Sequence, residues 1–170
     1  MQNQARDEEL AFFCDHCHRH GLKITPQRIA VYNELAKARN HPSAEVMYRA
    51  VRRGHPNISY DTVNRTLQTF VDIGLVNLVE GIGGVRRFDP DRELHHHFHC
   101  RICGKIFDFH YERFDALEIP ENIREIVTVD SKKAVLSGVC RRCQSQQSAS
   151  SNAKKIIKKE NNHGKNRRQH

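Results

Sequence analysis

Apolar positions recur at helical spacing through the first half of the 170-residue chain and at strand spacing through the second. In residues 10–20, LAFFCDHCHRH, Leu10, Phe13 and Cys17 fall at i, i+3 and i+7, and Gly21 supplies a stop. The polar residues 1–9 ahead of it read as a flexible, frayed end. Thr25 and Pro26 open a second helix as N-cap and first helical residue, and Ile29, Tyr32, Leu35 and Ala36 trace its apolar face as far as about Arg39. A third, over residues 43–53, turns Val46, Met47, Ala50 and Val51 inward and is closed by Gly54, Pro56 and Asn57. A fourth starts at the N-cap Ser59 and runs to about Asp72, burying Val63, Leu67 and Phe70 and leaving Tyr60, Asn64, Arg65 and Gln68 on other faces.

Residues 75–80 and 85–89, joined by Gly81-Ile82-Gly83-Gly84, predict a β-hairpin. Helices followed by such a hairpin make a winged helix-turn-helix domain, assigned to residues 10–89, in which the helix before the wing enters a DNA major groove. Beyond it the pattern predicts a strand at 105–109, a loop, a helix around 120–126 and an alternating strand at 133–139. This is a small second α/β domain, residues 90–143, so the fold class is α+β. From residue 144 to 170 the composition turns to Gln, Ser, Asn and Lys, which predicts a disordered basic tail.

Charge narrows the partner class. Lys and Arg number 28 against 20 acidic residues, a net +8 with a pI near 9.4, which suits a polyanion such as nucleic acid. Mean hydropathy of −0.72 and the lack of any apolar run near ~18 residues argue against a membrane role. Six cysteines spaced as Cys-x-x-Cys, with no secretory signal, predict a reducing cytoplasm and metal ligation rather than disulfides.

The chemistry concentrates in residues 86–110, RRFDPDRELHHHFHCRICGKIFDFH. If the histidine run is extended, alternation sends His95, His97 and His99 to one face and His96, Phe98 and Cys100 to the other. Cys100-x-x-Cys103 and Cys140-x-x-Cys143 deliver four thiolates, the shell of a closed tetrahedral structural zinc site whose loss unfolds the second domain. On the other face, His95 and His97 need further ligands, and the hard donors available are Asp89, Asp108 and, more remotely, His41. Such a nitrogen and oxygen shell suits Fe(II), Mn(II) or Ni(II), and five ligands leave an octahedral ion one open position. His96, His99 and His110 read as solvated strand residues. Cys14 and Cys17 read as part of a packed helix rather than a redox or metal pair.

Taken together, TPQR at 25–28, HPSAE at 41–45, TVNRTLQTFVDIGLV at 62–76, the histidine run with CxxCGKIFDFH, and GVCRRC at 138–143 resemble the ferric uptake regulator family of metal-dependent repressors, over residues 10–143. Within it the resemblance is nearest to the peroxide-responsive branch. It implies a homodimer on palindromic double-stranded operator DNA, with structural Zn(2+) on Cys100, Cys103, Cys140 and Cys143. It implies regulatory Fe(2+) or Mn(2+) on His41, Asp89, His95, His97 and Asp108, and His41 and His95 as the histidines oxidised when bound iron meets peroxide. Zinc sensors of the family tend to carry Cys where Asp89 stands, and iron sensors often Glu where Asp108 stands. A further family site would need ligands where this chain has Leu94 and Lys132, so the resemblance implies its absence.

On the recognition helix Asn64 and Arg65, with Tyr60, Thr62 and Gln68, are the expected base readers, and Lys23, Arg28 and Arg86 the expected phosphate contacts. The family usually places Tyr where Asn64 stands, so its operator sequence does not transfer. The nearest alternative is an iron-sensing regulator of the same fold. A metallohydrolase lacks a His-Glu-x-x-His motif and room for substrate, and a metal-storage protein leaves the winged helix unexplained, so no enzymatic activity is expected.

Overall fold

The computed structural model describes residues 2–38 and 40–147. Four helices come first: α1 Gln2–Arg19, α2 Pro26–Ala36, α3 Ala44–Arg52 and α4 Tyr60–Asp72. Three of them begin where a side-chain oxygen meets an otherwise unpaired backbone N–H. Thr25 accepts from Arg28, Ser43 from Val46 and Ser59 from Thr62. The first helix departs from expectation, because residues 2–9, predicted as a frayed end, continue α1 toward the N-terminus.

The helices close around one apolar core. Phe13 of α1 stacks on Tyr32 of α2 at 4.4 Å between ring centroids and meets Phe70 of α4 edge-on at 5.7 Å. Val63, Leu67 and Phe70 of α4 are wholly buried, each contributing about 1.5–3 kcal/mol by leaving water. Cys17 is buried in the same core, where burial raises its thiol pKa and keeps it a small apolar group. On α3 Met47 and Val51 face inward as predicted, but Val46 is 51% exposed: it lies one residue from Met47, about 100° around the helix.

A hairpin follows, β1 Asn77–Glu80 and β2 Arg86–Asp89, turned by a 3-10 segment at Ile82–Gly84. Its register sets Leu78 opposite Phe88, and Phe88 plugs into the helical core at 1% exposure. Gly81 is required at the turn, since a Cβ there would stand 2.6 Å from the Val85 carbonyl oxygen. The Phe88 N–H also donates to the Pro42 carbonyl at 2.9 Å, which lashes the loop before α3 to β2. That bond brings His41 beside Asp89.

The second half is a three-stranded sheet, β3 His96–Cys100, β4 Ile106–Phe109 and β5 Val135–Gly138, with β3 in the middle. β3 runs antiparallel to β4, setting His97 opposite Asp108, and parallel to β5, setting His97 opposite Val135. A parallel neighbour needs a long crossover, and two short helices, α5 Glu112–Asp115 and α6 Glu121–Arg124, lie in it. The first of these occupies what the sequence presents as loop. After Cys140 residues 141–147 are helical, so the predicted disorder does not begin at 144; residues 148–170 with the basic run lie outside the described residues. This half buries histidines and cysteines rather than a large apolar core, and leaves Leu117, Ile126, Val127 and Leu136 at least half exposed.

Candidate metal centres

Two clusters of ligand-type side chains form on opposite faces of β3. In the first, the Sγ atoms of Cys100, Cys103, Cys140 and Cys143 all lie within 4.8 Å of one another. The Cys100-x-x-Cys103 knuckle is shaped by backbone bonds, Gly104 N–H to the Cys100 carbonyl and Cys100 N–H to the Lys105 carbonyl, both 2.9 Å, with Gly104 at φ 67°. The second pair sits at the start of the final helix, where the Gln144 N–H donates to the Cys140 carbonyl. Cys103 and Cys140 sulfurs stand 3.9 Å apart, far beyond a disulfide bond and close to the edge, about 3.8 Å, of a tetrahedron with 2.3 Å zinc–sulfur arms. Backbone N–H groups of Cys103 and Cys140 hold the Cys100 thiol down to about 6, while burial and the neighbouring thiols push Cys143 up. Cys100 is thus inclined to ionise, and a divalent cation would offset the burial that works against an ionised Cys143.

The second cluster draws on both halves of the chain. His41 comes from the loop before α3, Asp89 from the end of β2, His95 from the approach to β3 and His97 from β3, and their ligand atoms again lie within 4.8 Å of one another. All four are buried. His97 Nε2 is 2.9 Å from His95 Nε2 and 3.1 Å from His41 Nε2. Asp89 Oδ2 is 3.0 Å from His95 Nε2, and Asp108 Oδ1, on the more exposed β4, is 3.2 Å from His41 Nε2. The five residues singled out in the sequence therefore meet, with Asp108 at the rim.

The geometry fits a cation. His95 Nδ1 lies 2.8 Å from the Glu93 carbonyl, which can only accept, so the ring proton is on Nδ1 and the Nε2 lone pair faces the cluster. Three Nε2 atoms this close cannot all be satisfied by the protons of neutral rings. A divalent ion satisfies all three, and the buried Asp89 Oδ2, which has no hydrogen-bond partner among the described residues, adds an anionic ligand. Burial works against the ionised Asp89, yet the His41 and His97 rings and the Asp91 N–H outweigh it and hold the carboxyl well below the usual range. With no thiolate in the shell, the donors suit Fe(II) or Mn(II).

Other predicted positions fare differently. His96 and His99 are buried, contrary to their reading as solvated residues, whereas His110 is exposed. His96 accepts the Ala134 N–H at Nδ1 and turns Nε2 to within 3.2 Å of Asp115 Oδ1 on α5, a partner 19 residues away that no local pattern marks. Lys132 donates to the Asp115 and Leu117 carbonyls beside it, supplying its own positive charge there. Burial, followed by the His97 and His41 charges, lowers the His99 pKa and keeps that ring neutral. Cys14 and Cys17 join no metal-type cluster among the described residues.

On α4, Tyr60, Asn64 and Arg65 face outward, the last held by Asp61 at 2.9 Å. Thr62 is engaged with the cap hydroxyl of Ser59 at 2.8 Å, and Gln68 accepts from wing residue Arg86 at 3.0 Å, tying helix to wing. Lys23 is exposed, and its carbonyl accepts from the Arg28 guanidinium. Arg52, exposed, lies over the Tyr48 ring, which meets Tyr60 of α4 edge-on at 5.8 Å, and nothing in its spacing sets it apart from a solvated helix surface. No helix among the described residues is long and apolar enough to cross a membrane.

Comparison with known proteins identifies the family. Residues 19–135 match the profile of the ferric uptake regulator family. The peroxide-responsive repressor PerR of Staphylococcus epidermidis is 34% identical over 141 residues, spanning 82% of this chain and 93% of the relative. Its Staphylococcus aureus (strain Mu50) namesake is 36% identical over 124 residues, 73% of this chain and 84% of the relative. Among solved structures, the manganese-containing ferric uptake regulator of Pseudomonas aeruginosa superposes with a TM-score of 0.61 at 27% identity, covering 75% of this chain and 96% of that one. With a profile match over most of its length and relatives aligned nearly end to end, the chain belongs to the ferric uptake regulator family.

Proposed function

We propose that this protein is a metal-dependent, peroxide-responsive transcriptional repressor that binds palindromic operator DNA as a homodimer in the cytoplasm. The observation that carries the reading is the convergence of His41 and Asp89, from the DNA-binding half and its border, with His95 and His97 from the sheet half on one buried point. Relatives at 34–36% identity named as peroxide-responsive repressors support the choice of signal.

In this reading Cys100, Cys103, Cys140 and Cys143 hold structural zinc, and His41, Asp89, His95, His97 and Asp108 hold iron or manganese. When bound, Fe(II) supplies the one-electron chemistry that turns peroxide into an oxidant beside its own ligands. The protein does the rest. Glu93 fixes the His95 tautomer, and the Phe88–Pro42 backbone bond holds His41 at the end of a loop that leads directly into α3. His41 and His95 are the residues oxidised. Losing either removes a ligand shared between the halves, so the recognition helices leave the spacing that two operator half-sites require. The apolar side chains exposed on the sheet half give the second copy a surface to cover. Asn64 and Arg65 read bases, with Tyr60, Thr62 and Gln68 beside them, and Lys23, Arg28 and Arg86 contact phosphates.

The test is selection of duplex DNA from a random pool with zinc-replete, Mn(II)-loaded protein, followed by affinity measurement with and without Mn(II). The reading expects a palindromic site bound only with Mn(II), and loss of that dependence in Asp89→Asn with zinc content intact. Equal, sequence-specific binding without Mn(II) in the wild type would contradict it.

A further inference from the structure

Residues 89–95 begin and end on buried members of the histidine–aspartate cluster, Asp89 and His95, and cross between them from the wing into the sheet. No regular element spans the gap, since β2 ends at Asp89 and β3 begins at His96. A relay of hydrogen bonds between alternate residues fixes it instead. The Asp91 N–H donates to Asp89 Oδ1 at 2.9 Å, the Glu93 N–H donates to Asp91 Oδ1 at 3.0 Å, and His95 Nδ1–H donates to the Glu93 carbonyl at 2.8 Å. The first bond occupies Asp89 Oδ1, so the carboxylate presents Oδ2 to the cluster, 3.0 Å from His95 Nε2 and 3.6 Å from His97 Nε2. The last sets the His95 tautomer. The middle one, on the Asp91 side chain, joins them by holding Glu93 where its carbonyl meets the His95 ring.

The relay is also fastened from outside. Asn77 of β1 donates from Nδ2 to the Asp91 carbonyl at 2.8 Å, and its own backbone pairs with Asp89 in the hairpin. The Arg92 guanidinium lies 3.5 Å from the centre of the Phe12 ring of α1. Both anchors belong to the winged-helix half. Asp91 is not among the side chains whose ligand atoms converge, and its Oδ2 stays 3.9 Å from His95 Nδ1. Half of its side chain is in solvent, at 51% exposure, so a substitution there removes hydrogen bonds rather than packing. We propose, on the reading of this cluster as the regulatory metal site, that Asp91 and Asn77 are its positioning residues. They preset Asp89 Oδ2 and His95 Nε2 for the cation and tie both to the wing. Ligands oriented before the cation arrives lose less freedom on binding it, and removing such outer partners generally weakens metal affinity by about 10–100-fold.

Manganese affinity of zinc-replete full-length protein, read from the electron paramagnetic resonance of free Mn(II), tests this in the wild type, Asp91→Ala, Asp91→Asn and Asn77→Ala. The absorption bands of bound Co(II) report ligand geometry in the same four proteins. Asp91→Ala is expected to weaken Mn(II) binding about tenfold and to shift the Co(II) bands, with zinc content and far-UV circular dichroism unchanged. Asp91→Asn keeps an acceptor oxygen for the Glu93 N–H and is expected to return both readouts to near wild type. Asn77→Ala is expected to weaken Mn(II) binding about fivefold, as loss of one ordinary hydrogen bond does. Wild-type affinity or an unshifted Co(II) spectrum in Asp91→Ala, or an Asp91→Asn protein as weak as Asp91→Ala, would overturn the proposal and leave the metal site itself in place. A wild type that binds no Mn(II) would instead overturn the reading of the cluster, and the positioning roles with it.

Discussion

Tyr32 shows how much of this fold depends on single side chains. Its ring stacks on Phe13, and its hydroxyl donates to the Glu9 carboxylate, joining α2 to α1. Burial raises the phenol pKa, and the bond to Glu9 raises it further. Because the folded state holds this proton more tightly than the unfolded chain does, the contribution is complete below the unfolded tyrosine pKa of about 10 and is lost as pH rises beyond it. Tyr32→Phe is expected to lower the unfolding free energy by about 2 kcal/mol at pH 7, as loss of a bond to a charged acceptor does, and to flatten the alkaline fall in stability. Urea unfolding at pH 7 and above pH 10 measures both. At this scale the sequence was informative where chemistry restricts residue type: nine histidines, aspartates and cysteines at ligand spacings meet in two clusters. It misjudged His96, because its partner Asp115 arrives on a helix too short to leave a periodic pattern, and His99, which is buried although it reads as solvated.

Elements were legible where local signals agree. Thr25-Pro26, Ser43 and Ser59 mark helix starts that the structure reproduces as side-chain caps, and the Gly-rich turn marks the hairpin. The second half was harder to read, since α5 and α6 are single turns and the sheet is fastened by ligands rather than by an apolar stripe. That difference predicts how the halves fail. The Arg101 N–H bonds the Gly138 carbonyl and the Cys140 N–H reaches Cys100 Sγ, so β3, β5 and both knuckles share one fastening. Cys143→Ser is expected to abolish zinc retention and to expose the amides of β3 and β5 to rapid hydrogen exchange, while α4, packed through Val63, Leu67 and Phe70, keeps its protection. Zinc analysis with site-resolved exchange reads both halves in one sample. Uniform loss of protection across α4 and the sheet would show instead that the halves fold as one unit.

Across the whole molecule, the metal cluster is where the two halves of the chain meet. It is built from a loop on one side, two strands on the other and a carboxylate at their border, so on the proposed function its occupancy sets the relative placement of the halves. On the same reading, the exposed apolar residues of the sheet half and the outward-facing residues of α4 carry that change to DNA. On the proposed function, peroxide changes DNA binding by destroying a ligand rather than by emptying the site. Peptide mass analysis after a small dose of hydrogen peroxide, on zinc-replete protein loaded with Fe(II) and in parallel with Mn(II), distinguishes the two. Added oxygen on His41 or His95 in the iron sample alone, with loss of operator binding that fresh metal does not restore, is the expected result. Unmodified histidines, with operator binding that simply follows free iron, would contradict it and make the protein an iron-sensing regulator.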